Sequence, residues 1–494
     1  MIDNRRSFLS RFSGGILGLS SYSSMAAKSP AERPNILWLI SEDTSPDIGC
    51  YGAQVVKTPN LDKLASEGLR FNNAFVTSPV CSASRSAFMT GMYQTSIGAH
   101  QHRTHDPKPL PNNVRPITEY FRDAGYFVTN QSGVNPDKPG KTDWNFTVPF
   151  ERFDGTDWHA RKPGQPFFAQ INFPMTHRTF RPDHLNPINH EDVALPPYYP
   201  DHPLAKRDWA DYLEDMQILD RAIGAVLQKL ETDGLADNTM VVYFGDGGRP
   251  HVRGKEFLYE GGIRVPLIMR WPRNLEAGEV FDALVSAIDI GPTCMSLAGL
   301  TIPDSMEGQP FLGPDAQTRN YIIAARDRCG STYDRMRCVR TARYKYIKNF
   351  LPHLPWFTQS NLYKRRQYPV LTLMEVLYAQ GRLTPEQARF MAPSKPAEEL
   401  YDLDTDPHEL HNLAEELSSQ AILSDLRMTL SNWIQETGDK GQISEDSAIA
   451  AERHRKALMP GHARVMAQRD LSVDVAPQEY LKWWEKELFG SNNR

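Results

Sequence analysis

Five short apolar runs punctuate the chain up to residue 271: NILWLI (35–40), GYFVTN (125–130), PFFAQINF (166–173), MVVYFG (240–245) and VPLIMRW (265–271). Their hydrophobicity is continuous rather than alternating, which a strand needs when both faces of its sheet are covered, so they predict buried parallel strands. Residues 207–234 follow a different period. Trp209, Tyr212, Met216, Leu219, Ile223, Val226 and Leu230 recur at steps of three and four, one face of a helix, and Gly234 supplies its stop. Strand, helix and strand make a βαβ unit, so the predicted fold class is α/β: a large mixed, mainly parallel sheet flanked by helices.

After about Gly313 the texture changes. Residues 337–350, RCVRTARYKYIKNF, read as strand or hairpin, followed by Pro- and charge-rich loops, ELYDLDTDPHELHNL (399–413) and helical segments. The predicted organisation is a catalytic domain over 34–313 and a smaller C-terminal α+β lobe over 314–494, with no internal repeat. Residues 1–27 stand apart. Arg5 and Arg6, then Phe8 and Leu9, a weakly apolar Gly-rich run and small residues near Ala26 and Ala27 predict a cleaved twin-arginine export signal. The mature protein is then expected in the periplasm or outside a bacterial cell, delivered by the twin-arginine export machinery. No other run is long and apolar enough to span a bilayer.

The polar residues that follow the strands carry the chemistry. Strand 35–40 leads to Glu42 and Asp43, strand 125–130 to Lys141, strand 166–173 to His177 and strand 240–245 to Asp246. In an open α/β sheet the ligand crevice lies beyond the carboxyl ends of the strands, so these groups are predicted to share one rim. The net charge of −5 argues against a global basic surface for nucleic acid, and an anionic ligand must be met by a local cluster. The five cysteines (50, 81, 294, 329 and 338) are scattered without a CxxC pair, against a zinc-thiolate site or a disulfide framework, although Cys329 and Cys338 can pair. Cys81 opens a helix-compatible run, CSASRSAFM, which places it at a positive helix end with Arg85 one turn on. By itself that setting fits an inert buried thiol or a thiolate nucleophile with a histidine partner.

CSASRSAFMTG resembles the signature of the type I, formylglycine-dependent sulfatases, Cys-x-Pro/Ala-x-Arg with a Thr-Gly tail, within the alkaline phosphatase superfamily. ISEDTSPDIGCYG resembles that family's first acidic metal loop and FGDGGRPHVRGKEFLYEGGIRVPLIMRWP its second; ELYDLDTDPHELHNLA resembles its C-terminal motif, and the chain is loosely similar to heparan-sulfamidase-like members. The resemblance implies an alkaline-phosphatase-like sheet and hydrolysis of sulfuric esters, most readily of sulfated carbohydrates. It implies that a formylglycine-generating enzyme oxidises Cys81 to formylglycine, whose hydrate attacks sulfur with one hydroxyl and expels sulfate with the other. Glu42, Asp43, Asp246 and the modified residue 81 would hold one calcium ion. Arg85 would orient residue 81, Lys141 and Lys255 would grip sulfate oxygens, and His177 would meet the leaving oxygen as a candidate general acid.

Three positions depart from the pattern. Glu42-Asp43 stands where Asp-Asp is usual, Gly247 follows Asp246 where Asn or His is usual, and Lys141-Thr142-Asp143 replaces Lys-x-His. His100 and His102 are candidates to replace that last histidine at the substrate. Arg249, His251 and Arg253, with YKRRQ (363–367), are candidates for an anionic-sugar subsite or for a solvated face. The breaks leave two alternatives: a sulfatase homologue that binds sulfated glycans without turnover, and a phosphodiester or phosphonate ester hydrolase of the same superfamily.

Overall fold

The computed structural model describes residues 33–490, apart from 359–360, 444–445, 447, 449–450 and 453; the predicted export signal lies outside the described residues. Its main sheet holds β1 (Asn35–Ser41), β2 (Leu69–Phe71), β3 (Phe127–Ser132), β4 (Asn135–Pro139), β5 (Phe167–Phe173), β6 (Thr239–Gly245), β7 (Leu267–Arg270) and β8 (Glu279–Phe281). The spatial order is β8-β2-β7-β6-β1-β5-β3-β4. Strands β3, β5, β1 and β6 are parallel neighbours, and every residue of β1, β5 and β6 is buried, as their unbroken apolar runs require. Trp38 sits mid-sheet with its ring edge-on to Phe168 (5.0 Å) and Phe244 (5.4 Å), contacts worth roughly 0.5–1.5 kcal/mol each beyond area burial.

One expected parallel strand runs the other way: β7 is antiparallel to both β6 and β2. The segment joining β6 to β7 is the second acidic loop, with only the four-residue helix Glu260–Ile263 in it, and without a crossover helix the chain returns in the opposite direction. Two helices matter below. Helix α1 spans Cys81–Thr90 and α2 spans Pro203–Thr232. The latter starts four residues earlier than its apolar period suggests, because Pro203 suits a first turn and the His202 ring accepts a hydrogen bond from the Leu204 amide (3.2 Å). Gly234 sits just past its end with φ +69°, the left-handed conformation that a glycine stop supplies.

A second, antiparallel sheet follows: β9 (Tyr321–Arg326), β10 (Met336–Thr341), β11 (Tyr344–Asn349) and β12 (Glu398–Asp402), in that spatial order. β10 and β11 form the predicted hairpin. Helix Gln420–Thr437 buries Leu423, Leu426, Leu430 and Trp433 against Ile323, Val339, Tyr346 and Leu400 of this sheet. All five cysteines, Cys329 and Cys338 included, are free thiols.

A candidate active site at the strand ends

The register sets the site. Ser41 at the end of β1 lies opposite both Phe173 and Gly245, so the three strands finish level and their next residues emerge together. Glu42 and Asp43 follow β1, Asp246 follows β6, and His177 lies one turn beyond β5. Asp43 takes a left-handed backbone (φ +50°), uncommon for a residue with a side chain, and its amide donates to Asp246 Oδ1 at 3.0 Å. Thr176 donates its hydroxyl to the Glu42 carbonyl, pinning the loop after β5 onto the loop after β1.

Helix α1 begins at Cys81, which is 1% exposed. Its Sγ lies 3.6 Å from Asp43 Oδ1 and 3.5 Å from Lys255 Nζ. One turn on, the Arg85 guanidinium donates Nε to Asp246 Oδ2 (2.8 Å) and Nη1 to Asn172 Oδ1 (2.6 Å). Lys255 Nζ donates to both Asp43 oxygens (2.8 and 2.6 Å), and Lys141 Nζ donates to Glu42 Oε2 (2.7 Å). Three carboxylates and three fixed cations thus share a buried cluster with no net formal charge.

Burial opposes ionisation throughout, yet the neighbouring cations Lys141 and Lys255 hold Glu42 and Asp43 below their usual range. Against the same burial, Asp43 and the Cys81 sulfur hold Lys255 well above a normal lysine. Cys81 goes the other way. Burial, then the Asp246 charge, pushes its thiol up to about 12, which disfavours a resting thiolate. The Lys255 charge, then burial, lowers the pKa of His177, whose Nδ1 lies 2.7 Å from the Arg178 carbonyl and whose Nε2 faces Asp43 at 3.8 Å.

The donor set fits a hard divalent cation. Glu42, Cys81 and Asp246 bring ligand atoms within 4.8 Å of one another, all buried, and the Asp43 carboxylate, held by Lys255, borders the same space. Carboxylate oxygens suit a hard cation such as calcium, and a divalent ion added to this electroneutral cluster would make it net positive, ready for an anionic ligand.

Asp143 does not stand alone where a histidine is usual. Arg103 grips it bidentately (3.1 Å to each oxygen) and holds its carboxyl far below the usual range against burial; Lys141 Nζ is 3.6 Å away. The adjacent His102 is kept neutral by burial and by Arg103, with Lys255 and Asp143 also in its field, and its Nε2 has no hydrogen-bond partner. His100 is buried and has Asp439 of the C-terminal segment in its field. Arg249 and His251, expected at the substrate, are not brought to the cluster. His251 is enclosed by Trp209 (4.4 Å) and Tyr212 (5.0 Å), and Arg249 stacks on Trp209 with Nε 3.1 Å from Asp47. His251 is turned into the core beside α2, whereas Arg249 is half-buried and held at its edge by Asp47.

Several residues at the site were not singled out in the sequence. Asn172 and Asn130 sit inside apolar strands and hydrogen-bond each other (2.7 Å), and a polar residue interrupting a buried run is the signal that marks them. Asn130 Nδ2 also donates to the Gly140 carbonyl (2.8 Å), which fixes the residue before Lys141. A Cβ on Gly140 would lie 2.4 Å from Asn130 Oδ1, 2.5 Å from the Gln131 carbonyl and 2.6 Å from Asn172 Nδ2. Gly140→Ala is therefore expected to cost about 1–3 kcal/mol by urea unfolding and to shift Lys141 off Glu42.

YKRRQ forms helix α3 (Leu362–Gln367) and is not a solvated face. Tyr363 lies 6.0 Å from the His177 ring, and the buried Lys364 donates Nζ to the Lys255 carbonyl (2.8 Å). Burial pulls the Lys364 pKa from 10.5 down to about 7. The folded state then holds this proton less tightly than the unfolded chain, so stability rises with pH between about 7 and 10 and the effect is flat below. Lys364→Met removes that slope. Its stability advantage over the wild type is expected to be larger at pH 7 than at pH 9 by about 2 kcal/mol, measured by denaturant unfolding.

Known proteins fall into line with this geometry. The sulfatase family model matches residues 34–162 and 153–300, and the model described as N-sulphoglucosamine sulphohydrolase, C-terminal, matches 251–384. An ulvan-active sulfatase of Formosa agariphila is 36% identical over 85% of this chain and 77% of its own length. Human N-sulphoglucosamine sulphohydrolase is 25% identical over 84% and 92%. The solved phosphonate monoester hydrolase of Agrobacterium radiobacter shares the fold, with a TM-score of 0.60 at 17% identity over 82% of this chain and 96% of its own. The cysteine at the head of α1, the acidic loops after β1 and β6, and matches spanning most of the chain lead to one conclusion: this protein is an enzyme of the alkaline-phosphatase-like sulfatase family.

Proposed function

We propose that this sulfatase releases inorganic sulfate from sulfated carbohydrates, using formylglycine made from Cys81 and one calcium ion held by Glu42, Asp43 and Asp246. The observation that carries the reading is the position of Cys81 Sγ, buried at the head of α1 and within 3.6 Å of both Lys255 and Asp43. When present, the formylglycine hydrate supplies the attacking and expelling hydroxyls and calcium offsets sulfate charge.

The chain's own residues do the rest. Lys141 and Lys255 are point charges for sulfate oxygens, at present engaged by Glu42 and Asp43. Arg85 ties Asp246 to α1, so residue 81 and the acidic loop keep one spacing. The Nδ1 proton of His177 points to a carbonyl, which leaves Nε2 to exchange a proton with the leaving oxygen. His102, neutral and unpartnered at Nε2, takes the part of the histidine missing at 143, while Asp143 holds Arg103 and Lys141 in place.

Gly247 explains how the metal loop tolerates its departure. A Cβ there meets nothing within 4 Å, so the position where a further ligand is usual is open space beside Asp246. Gly247→Asn is expected to fold normally and to bind calcium about tenfold more tightly in a chelator-competition titration.

The names of the relatives, ulvan-active sulfatase and N-sulphoglucosamine sulphohydrolase, support a sulfated-glycan substrate. A twin-arginine signal over 1–27 would deliver the enzyme to such a substrate outside the cytoplasm, after maturation by a formylglycine-generating enzyme. The division at about residue 313 belongs to the same proposal: the main sheet is complete by Phe281 and the antiparallel sheet begins at Tyr321. Protein co-produced with a formylglycine-generating enzyme should release sulfate from sulfated oligosaccharides in a calcium-dependent manner. Hydrolysis of aryl phosphonates with no release from any sulfate ester would instead select the phosphonate reading, which the shared fold of the Agrobacterium enzyme favours.

A further inference from the structure

A cavity of about 330 Å3 lies outside the cluster around Cys81, between the second acidic loop and the antiparallel sheet. Four guanidiniums from separate parts of the chain line it: Arg70 from β2, Arg249 and Arg264 from the loop after β6, and Arg340 from β10. We propose that this cavity is a second, non-catalytic binding site for an oxyanion, either free sulfate or a sulfate or carboxylate carried on a sugar.

The cations there outnumber the anions that could satisfy them. Glu260 and Glu409 also face the cavity, but both are held by the fully buried Lys345, at 2.8 and 2.7 Å. Arg249 is matched by Asp47 (3.1 Å) and Arg340 by Glu260 (3.4 Å). Arg70 and Arg264 have no carboxylate within ion-pair distance among the described residues. Arg70 donates Nη1 to Asn72 Oδ1 (2.6 Å), and Arg264 donates Nε and Nη2 to the Asn72 carbonyl (3.0 and 2.7 Å). In a chain whose net charge is −5, a surplus of guanidinium around one enclosed space is not a general basic surface. Arg264 also acts on Glu260 through its charge, but neither it nor Arg70 forms a carboxylate ion pair there, and such guanidinium forks match the geometry of sulfate and carboxylate.

The walls suit a sugar as well as an ion: Tyr51 and Tyr198 add rings to the lining, and the space has room for one hydrated sulfate or one pyranose-sized unit. The site also touches the catalytic loops from behind. The Arg249 amide donates to Ser45 Oγ (2.9 Å), joining residues that lie two and three positions from Asp43 and Asp246. An anion bound here would brace both acidic loops without meeting the scissile ester.

The test uses the full chain produced without a formylglycine-generating enzyme and with the catalytic cradle weakened by Lys255→Ala, so turnover and maturation stay out of the readout. Inorganic sulfate is titrated calorimetrically into this protein with and without Arg264→Ala. A binding event that persists in the first and weakens at least tenfold in the second is the expected result; Arg70→Gln serves in the same way if Arg264→Ala does not fold. If free sulfate gives no heat but a sulfated or uronate-bearing oligosaccharide binds and loses at least tenfold on Arg264→Ala, the anion is the one carried by sugar. No difference between the proteins with either probe overturns the proposal. In the otherwise wild-type enzyme, Arg264→Ala should leave turnover of a small aryl sulfate unchanged within twofold. A failed binding test leaves the catalytic reading standing, and a failed sulfate-release test leaves this site standing.

Discussion

Cys81→Ser is expected to lower steady-state sulfate release by about 10⁴-fold or more while leaving the fold intact. Sulfur and oxygen differ little in volume, and residue 81 is 1% exposed at the first position of α1, where a serine is well accommodated, so the melting temperature should move by no more than about 2 °C. The chemical reason for the loss is specific. A serine hydroxyl in this place can attack sulfur, with Lys141, Lys255 and His177 unchanged around it. The resulting serine sulfate has no second hydroxyl on the same carbon to expel sulfate, so it needs another S–O cleavage that the site is not built to perform. At most one equivalent of leaving group should therefore appear in a burst, and intact-mass spectrometry should find the sulfate on the protein. In wild-type protein from cells with a formylglycine-generating enzyme, the peptide containing residue 81 should carry the aldehyde or its hydrate. Sustained turnover by Cys81→Ser would overturn the requirement for a second hydroxyl on residue 81. An intact thiol in fully active wild-type protein would overturn the formylglycine requirement.

The site was legible because its residues obey a simple rule, each following a strand whose unbroken hydrophobicity marks it as central. Glu42, Asp43, His177 and Asp246 fall where that rule puts them, as the level register of Ser41, Phe173 and Gly245 shows. Lys141 is reached through the short antiparallel strand β4, which hydrophobicity does not reveal because all five of its residues are exposed. The direction of β7 was not legible for a related reason: an apolar run reports burial on two faces, not which way the chain passes. His251 lies away from the cluster because Phe180 and the aromatic residues of α2 enclose its imidazole, an enclosure that its position in a loop does not reveal. Lys364 shows the same limit. Only the fold reveals that this lysine ends on the backbone of Lys255, among Phe257, Phe357 and Tyr368.

The second large effect is expected at Arg85, whose three functions sit on one fully buried side chain. Nε holds Asp246 (2.8 Å), Nη1 holds Asn172 (2.6 Å) and reaches the Lys141 carbonyl (3.4 Å), and Nη2 is buried without a partner. Arg85→Ala leaves Asp246 as a buried carboxylate without its counter-charge, a change that costs about 3–5 kcal/mol in comparable buried pairs. It also frees Asn172, and through the Asn172–Asn130–Gly140 chain it loosens the segment that presents Lys141. Sulfate release should therefore fall by about 10²–10³-fold, in kcat more than in KM, because the lost contacts position the reacting groups. Calcium bound as proposed would give Asp246 another positive neighbour, so the stability deficit of Arg85→Ala should be largest in EDTA and should shrink on adding calcium, by more than the same addition stabilises the wild type. Arg85→Lys keeps the charge but offers one compact donor group in place of a planar fork. It cannot reach Asp246, Asn172 and the open position filled by Nη2 together, and should recover part of the stability with little of the activity. Equal stability of Arg85→Ala and wild type in EDTA, within about 1 kcal/mol, would mean that Asp246 is not held by this pair. The unpartnered Nη2 would then be left as the reason for an arginine here: a donor kept dry beside residue 81 for an oxygen that arrives with the substrate.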